Sequence, residues 1–185
     1  MNSIIDDKIF ELSTKKENFE LVYDINQSYD TMIERLKNEF WQKLFHHLET
    51  NIANLVVKFH DEDFWTILLK DKSWNYLRLY IEWADDDKIY YGIYTEGLRY
   101  KKVNLVKQNL ADLEMLTDFK PEITEDSVCY YSKYNYDFTK LSGLKRLLPE
   151  TRIELFNEFS KSLENLYEKM NPKLLEIENM ITNRL

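Results

Sequence analysis

Apolar residues in the first third of the chain recur in steps of three and four, at Tyr29, Met32, Leu36, Phe40, Leu44, Leu48, Ile52, Leu55 and Phe59. Such spacing keeps one helical face apolar and predicts a long amphipathic helix over 29–59. Phe19, Val22 and Ile25 extend the same stripe backwards. Thr31 with Glu34 makes a capping-box pattern and Thr14 with Glu17 makes another, so the helix starts as early as Lys15 or comes in two pieces.

The period then falls to two. From Asn75 to Ala84 the residues alternate, with Leu77, Leu79, Ile81 and Trp83 on one face and Tyr76, Arg78, Tyr80 and Glu82 on the other. Asp85, Asp86 and Asp87 make a solvent-exposed polar turn, and Ile89 to Thr95 returns as a second strand. Phe64 to Leu69 and Val128 to Tyr134 are candidate outer strands. Val103 to Phe119 reads as a helix through Val106, Leu110, Leu113 and Leu116, stopped by Pro121. Leu141 to Leu148 adds a short helical turn.

A last helix is expected after Pro149, with Thr151 and Glu154 as its capping box. Its stripe runs through Phe156, Phe159, Leu163, Leu166, Met170, Leu174, Ile177 and Ile181, and Pro172 is expected to kink or restart it. The stripe either packs along the first helix or meets a second copy in a homodimer. Phe40, Leu44, Leu48, Phe156, Phe159 and Leu163 are expected to be buried. The fold class expected is α+β: one domain over 1–185, an antiparallel sheet of three to five strands, and long N- and C-terminal amphipathic helices.

Composition fits a globular chain, with 44% hydrophobic, 31% charged and 15% aromatic residues in 185. Three glycines and three prolines leave few tight turns. The lone Cys129 fits a reducing, cytoplasmic compartment, and Met1 to Phe10 lacks the basic flank and apolar run of a signal peptide. No window approaches eighteen apolar residues, so no membrane span is expected.

The formal net charge is −8, which opposes non-specific nucleic-acid binding. Between His60 and Glu96 nine acids face four bases, whereas Gly97 to Leu110 carries Arg99, Lys101, Lys102 and Lys107 with no acid.

Three isolated glycines form no phosphate loop, no serine stands in a nucleophile elbow, and no Cys/His spacing suits zinc. No catalytic residue, metal or cofactor is therefore expected. His60 with Asp61, Glu62 and Asp63 offers oxygen and nitrogen ligands, but a solvated loop accounts for the same residues. Asp86, Asp87 and Lys88 form an acid-x-Lys triplet of the kind that holds a metal in nucleases, yet they fall in a turn rather than a strand. Cys129, between Val128 and Tyr130, reads as a buried inert thiol.

Leu77 to Gly92, LRLYIEWADDDKIYYG, and the aromatic segment CYYSKYNYDFTKL from Cys129 to Leu141 resemble the C-terminal part of bacterial and phage proteins of the PD-(D/E)XK nuclease superfamily. That part follows a nuclease core and consists of an aromatic hairpin with closing helices. The superfamily's proline-aspartate motif and strand-borne acid-x-Lys have no counterpart here. What the resemblance implies is an accessory domain without the catalytic motif.

Two functions follow as expectations. The first is a non-catalytic acidic protein, of the kind phage or mobile elements encode, that binds a basic surface and modulates or inhibits a nucleic-acid-handling partner such as a defence nuclease. Its contact residues would be Asp61, Glu62, Asp63, Glu82, Asp85, Asp86 and Asp87. The alternative is a single-stranded nucleic-acid binding module whose sheet face stacks bases on Tyr76, Tyr80, Tyr90 and Tyr94, with Arg78 among them.

Overall fold

The computed structural model describes residues 2–60, 63–95, 97–98, 100–111, 118–124 and 127–183, with the side chains of 2–7, 63–64 and 100–101 excepted. The chain divides into two units, Met1–Phe40 and Trp41–Leu185.

The first unit holds helix α1 (Asn2–Ser13) and the beginning of α2 (Lys16–Asn51). The break between them is built from side chains. Thr14 Oγ1 donates to Phe10 O at 2.8 Å and Asn18 Nδ2 donates to Leu12 O at 3.0 Å, satisfying carbonyls that the end of α1 leaves open. Thr14 thus closes the helix before it instead of capping the one after it. Helix α2 starts at Lys16, and Thr31 lies in its interior.

In the second unit α2 ends at Asn51, where Thr50 Oγ1 donates to His46 O and Asn51 Nδ2 to His47 O, both at 2.8 Å. Strands β1 (Val56–His60), β2 (Asp63–Lys70), β3 (Leu77–Trp83) and β4 (Ile89–Thr95) follow, and then helix α3 (Tyr100–Ala111). Strands β5 (Lys120–Ile123) and β6 (Val128–Lys133), the short helix α4 (Leu141–Leu144), a 3-10 turn (Lys145–Leu147) and helix α5 (Arg152–Asn183) complete the order.

The sheet is antiparallel throughout, ordered β1-β2-β3-β4-β6-β5, and the expected three to five strands are corrected to six. The two strands that match none of the four segments read as strands are its edges. β1 occupies the tail of the stretch read as helix, and β5 begins just before Pro121, which had been read only as a helix stop. Leu113 and Leu116, expected in the third helix, lie outside the described residues.

One sheet face makes the core. Ile67 stands opposite Ile81 and Leu69 opposite Leu79, while Ile93 and Ile89 continue the rows from β4, and all six are fully buried. Trp41, Trp65 and Trp83 meet with ring centroids 5.9–6.3 Å apart. The α5 stripe from Phe156 to Ile181 is buried along its whole length, as are Val103, Val106 and Leu110 of α3. Phe40, Leu44, Leu48, Phe156, Phe159 and Leu163 are all buried, as their spacing implies. Because the α5 stripe is covered within the chain, it is not left to form a homodimer seam.

The C-terminal helix differs in two details from expectation. Thr151 Oγ1 donates back to Lys145 O at 2.6 Å, so it closes the preceding turn rather than capping α5. Pro172 lies inside α5, which continues to Asn183 as one element.

A buried carboxylate ties α5 to the sheet. Glu178, 2% exposed, accepts hydrogen bonds from the backbone N–H groups of Asn75, Tyr76 and Leu77, at 3.0 Å for Tyr76 and 3.2 Å for Leu77. It holds the chain where β3 begins.

Candidate functional site

The opposite sheet face is where the chemistry gathers. Directly opposed residues in an antiparallel pair point to the same side. One row therefore reads Leu68, Tyr80, Gly92, Tyr131 and Lys120 across β2, β3, β4, β6 and β5. A second reads Thr66, Glu82, Tyr90 and Lys133, and a third Arg78, Tyr94, Cys129 and Glu122. At Gly92 a Cβ would lie 1.9 Å from Tyr130 O, so only glycine lets β6 approach β4 there.

This face is concave, since His60 at the end of β1 and Glu122 in β5, from the two edges of the sheet, line one cavity of 270 Å³. Tyr80, Tyr94, Glu82 and Cys129 complete the walls that matter chemically. A second hollow of 200 Å³ shares Tyr80, Glu82, Glu122 and Cys129 and adds Tyr90 and Tyr131. Glu82 and Glu122 thus border both. The lysines of this face, Lys58, Lys120 and Lys133, are not among the described residues lining either hollow.

The groups of the floor are held neutral. Cys129 Sγ donates to Tyr80 Oη at 3.1 Å, and burial pushes the thiol up to about 11 despite that bond. Burial likewise raises the Tyr80 hydroxyl, and the neighbouring Cys129 adds to the effect. A thiol so shifted is scarcely ionised near neutrality. The tyrosine rings meet edge to face: Tyr80 with Tyr94 at 6.5 Å and 70°, Tyr90 with Tyr131 at 5.5 Å and 83°. They pack on one another more than they present flat platforms.

The turn between β3 and β4 closes with Asp87 N donating to Ala84 O and Ala84 N to Lys88 O, both at 3.0 Å. Asp87 adopts φ 55° and accepts from Trp83 Nε1 at 3.1 Å. It is half-buried, which corrects the expectation that all three acids of the turn are solvent-exposed; Asp85 and Asp86 are. Asp86 binds Lys88 and accepts from Tyr90 Oη at 3.0 Å. The bond from Lys88 is the largest influence holding the Asp86 carboxyl below the usual aspartate range.

Of the residues singled out for an acidic interface, Glu82 lies on the concave face and Asp85 and Asp86 at the adjoining turn. Asp61, Glu62 and the side chain of Asp63 lie outside the described residues. Of the five proposed for base stacking, Tyr80, Tyr90 and Tyr94 share the face. Arg78 is 7% exposed and donates to Leu77 O at 2.7 Å and Asn75 O at 3.0 Å, so its guanidinium is engaged with backbone. Tyr76 precedes β3, with the Lys102 ammonium 5.0 Å from its ring centre.

Glu122 and Tyr131 were not foreseen as site residues, and His60 was weighed only as a metal ligand. Glu122 was hidden because its strand is four residues long and contains a proline. Among the described residues no group of three His, Cys, Asp or Glu side chains is placed to hold a metal ion, and no helix is long and apolar enough to cross a membrane. Comparison of the chain with protein-family models, curated proteins and solved structures finds no match.

Proposed function

We propose that this chain is a non-catalytic binding protein that engages a basic surface of a protein partner through the concave, tyrosine-lined face and the acidic turn beside it. The observation that carries this reading is that Glu82 of the interior strand β3 and Glu122 of the edge strand β5 border the same two hollows. At 270 Å³ the larger hollow falls below the range of about 300–1,000 Å³ usual for small-molecule pockets and suits one projecting side chain. Tyrosine rings beside carboxylates favour a guanidinium or ammonium group, by attraction to the ring faces and by charge-assisted hydrogen bonds.

The partner class is a nucleic-acid-handling protein, such as a defence nuclease, whose channel displays arginine and lysine to phosphates. An acidic chain seated there modulates or inhibits it by occupying the channel. The resemblance to an accessory domain of nuclease-superfamily proteins supports the same class. Against the nucleic-acid alternative stand the two carboxylates on the face, the edge-to-face rings and the engagement of Arg78.

The test is capture from the native host by the wild-type chain, followed by calorimetry with the purified partner. Glu82→Gln with Glu122→Gln is expected to weaken binding roughly 10- to 100-fold, and more salt should weaken the wild-type complex. Retention of single-stranded oligonucleotides in place of protein, or a partner whose affinity ignores both substitutions, refutes the proposal.

A further inference from the structure

The N-terminal unit exposes an apolar surface that neither of its helices covers. In α2 the stripe runs Phe19, Val22, Ile25, Tyr29 and Met32, with Phe19 59%, Ile25 57% and Met32 55% exposed. Leu21 and Tyr23 flank it, and in α1 Ile9, Phe10 and Leu12 are each more than half exposed. Taking ordinary side-chain areas, the five stripe residues leave about 500 Å² open, and the flanking and α1 residues bring the exposed apolar-residue surface of the unit to about 1,000 Å². Monomeric proteins rarely show a contiguous patch above roughly 600 Å², whereas a stable dimer buries ~800 Å² per partner.

Steps of three and four over almost four turns are what one helix presents to another helix. The charges at the border of the stripe indicate which one. An α-helix returns to the same azimuth after about 18 residues, so Glu17 and Arg35, both exposed, lie along one edge of it. In a parallel pair of copies each edge faces the opposite edge of the partner, so Glu17 and Arg35 do not meet. In an antiparallel pair, centred near Asn26, each Glu17 faces the other copy's Arg35.

We propose that the Met1–Phe40 unit is a homodimerisation element, in which the α2 stripe packs antiparallel against the same stripe of a second copy. The exposed apolar-residue surface of the whole unit is of the size a dimer interface buries, and Glu17 meets Arg35 of the other copy in this orientation alone. Dimerisation would present two concave faces on one assembly, so that a partner with repeated basic sites is bound with an avidity that a single face lacks. The dimer itself does not depend on what the concave face binds.

The test is sedimentation velocity on the full chain from low to high micromolar concentration, with tryptophan fluorescence to report the Trp41–Leu185 core. The wild type should sediment with twice the 22.5 kDa chain mass. Ile25→Glu with Met32→Glu should weaken the dimer roughly 100-fold with unchanged core fluorescence, because both side chains are exposed in the single chain. Glu17→Arg alone and Arg35→Glu alone should each weaken it roughly 3- to 10-fold, and the two together should restore it. A wild type that is monomeric throughout, a trimer or larger species, or a dimer indifferent to the Ile25 and Met32 substitutions overturns the proposal. A double charge reversal as weak as its single components overturns the antiparallel pairing.

Discussion

Removing the Glu178 carboxylate tests whether one buried acid sets the start of β3. Its two oxygens receive N–H bonds from Asn75, Tyr76 and Leu77, and the bond from Leu77 is buried. Hydrogen bonds to a charged group contribute ~1.5–3 kcal/mol each, and a buried donor stripped of its acceptor costs ~1–3 kcal/mol. Asn75 is exposed, so water replaces its bond readily; Tyr76 and Leu77 are not. Glu178→Ala is therefore expected to cost about 4 kcal/mol. At ~2–4 °C per kcal/mol for a chain of this size, the melting temperature should fall by roughly 12 °C. Glu178→Gln keeps one acceptor oxygen but turns an amide N–H toward a backbone donor, and should cost about half as much. Thermal and urea unfolding, followed by fluorescence of the adjacent Trp74, measures both. An alanine variant melting within about 2 °C of the wild type would show that the three N–H groups do not depend on this carboxylate.

Three further outcomes are expected. Burial opposes ionisation of Asp71, but hydrogen bonds from Ser73 and Tyr167 outweigh it and hold the carboxyl below its ordinary 3.8. A depressed folded-state pKa stabilises above the unfolded value and ceases to do so as pH falls through the folded one. Asp71→Asn should therefore melt below the wild type at pH 7, with the difference shrinking below pH 4 in a pH series of melting curves. Cys129, raised from 9.0 to about 11, should carry about 100-fold less thiolate than an ordinary cysteine, and react with a disulfide reagent at pH 8 correspondingly slowly until the chain is unfolded. Asp87→Val and Asp87→Gly both lose the bond from Trp83 Nε1, but the valine variant should cost about 1–2 kcal/mol more in urea unfolding because a β-branched residue resists φ 55°; equal losses would refute the strain argument.

Where a local period was long, the sequence was readable. The alternation from Asn75 to Ala84 and the return through Ile89 to Thr95 place the central hairpin and assign Tyr80, Glu82, Tyr90 and Tyr94 to one face, as the register has them. The α5 stripe was equally plain, and every position of it is buried. The edges were not readable, for two physical reasons. Leu55 and Phe59 keep helical spacing by coincidence past Asn51, so β1 looked like one more turn of α2. β5 is too short for a period, and its proline is a strand breaker everywhere except at an edge.

Side-chain roles were harder still, because pattern gives a face and not a partner. Threonines 14 and 151 carry the letters of a capping box, yet both donate backwards to the preceding turn. Arg78 has the alternation of an outward residue, but its guanidinium reaches the backbone at the strand's own end. The concave site needed the curl of the sheet, which brings Glu122 within reach of residues some forty positions away and is a property of six strands together.

The two outer strands also govern how the sheet meets other chains. β1 ends in a register irregularity between Phe59 and His60, and β5 offers four exposed residues of which Pro121 has no N–H to donate. A strand arriving at either side would meet a register irregularity on one side and a short, proline-bearing strand on the other, which discourages growth of the sheet by strand addition. A chain with this many tyrosines and β-branched residues in consecutive strands would otherwise be a template for stacking on itself. With those borders closed, recognition of other molecules is left to surfaces where side chains discriminate, and fibre formation by strand addition is discouraged from the outset.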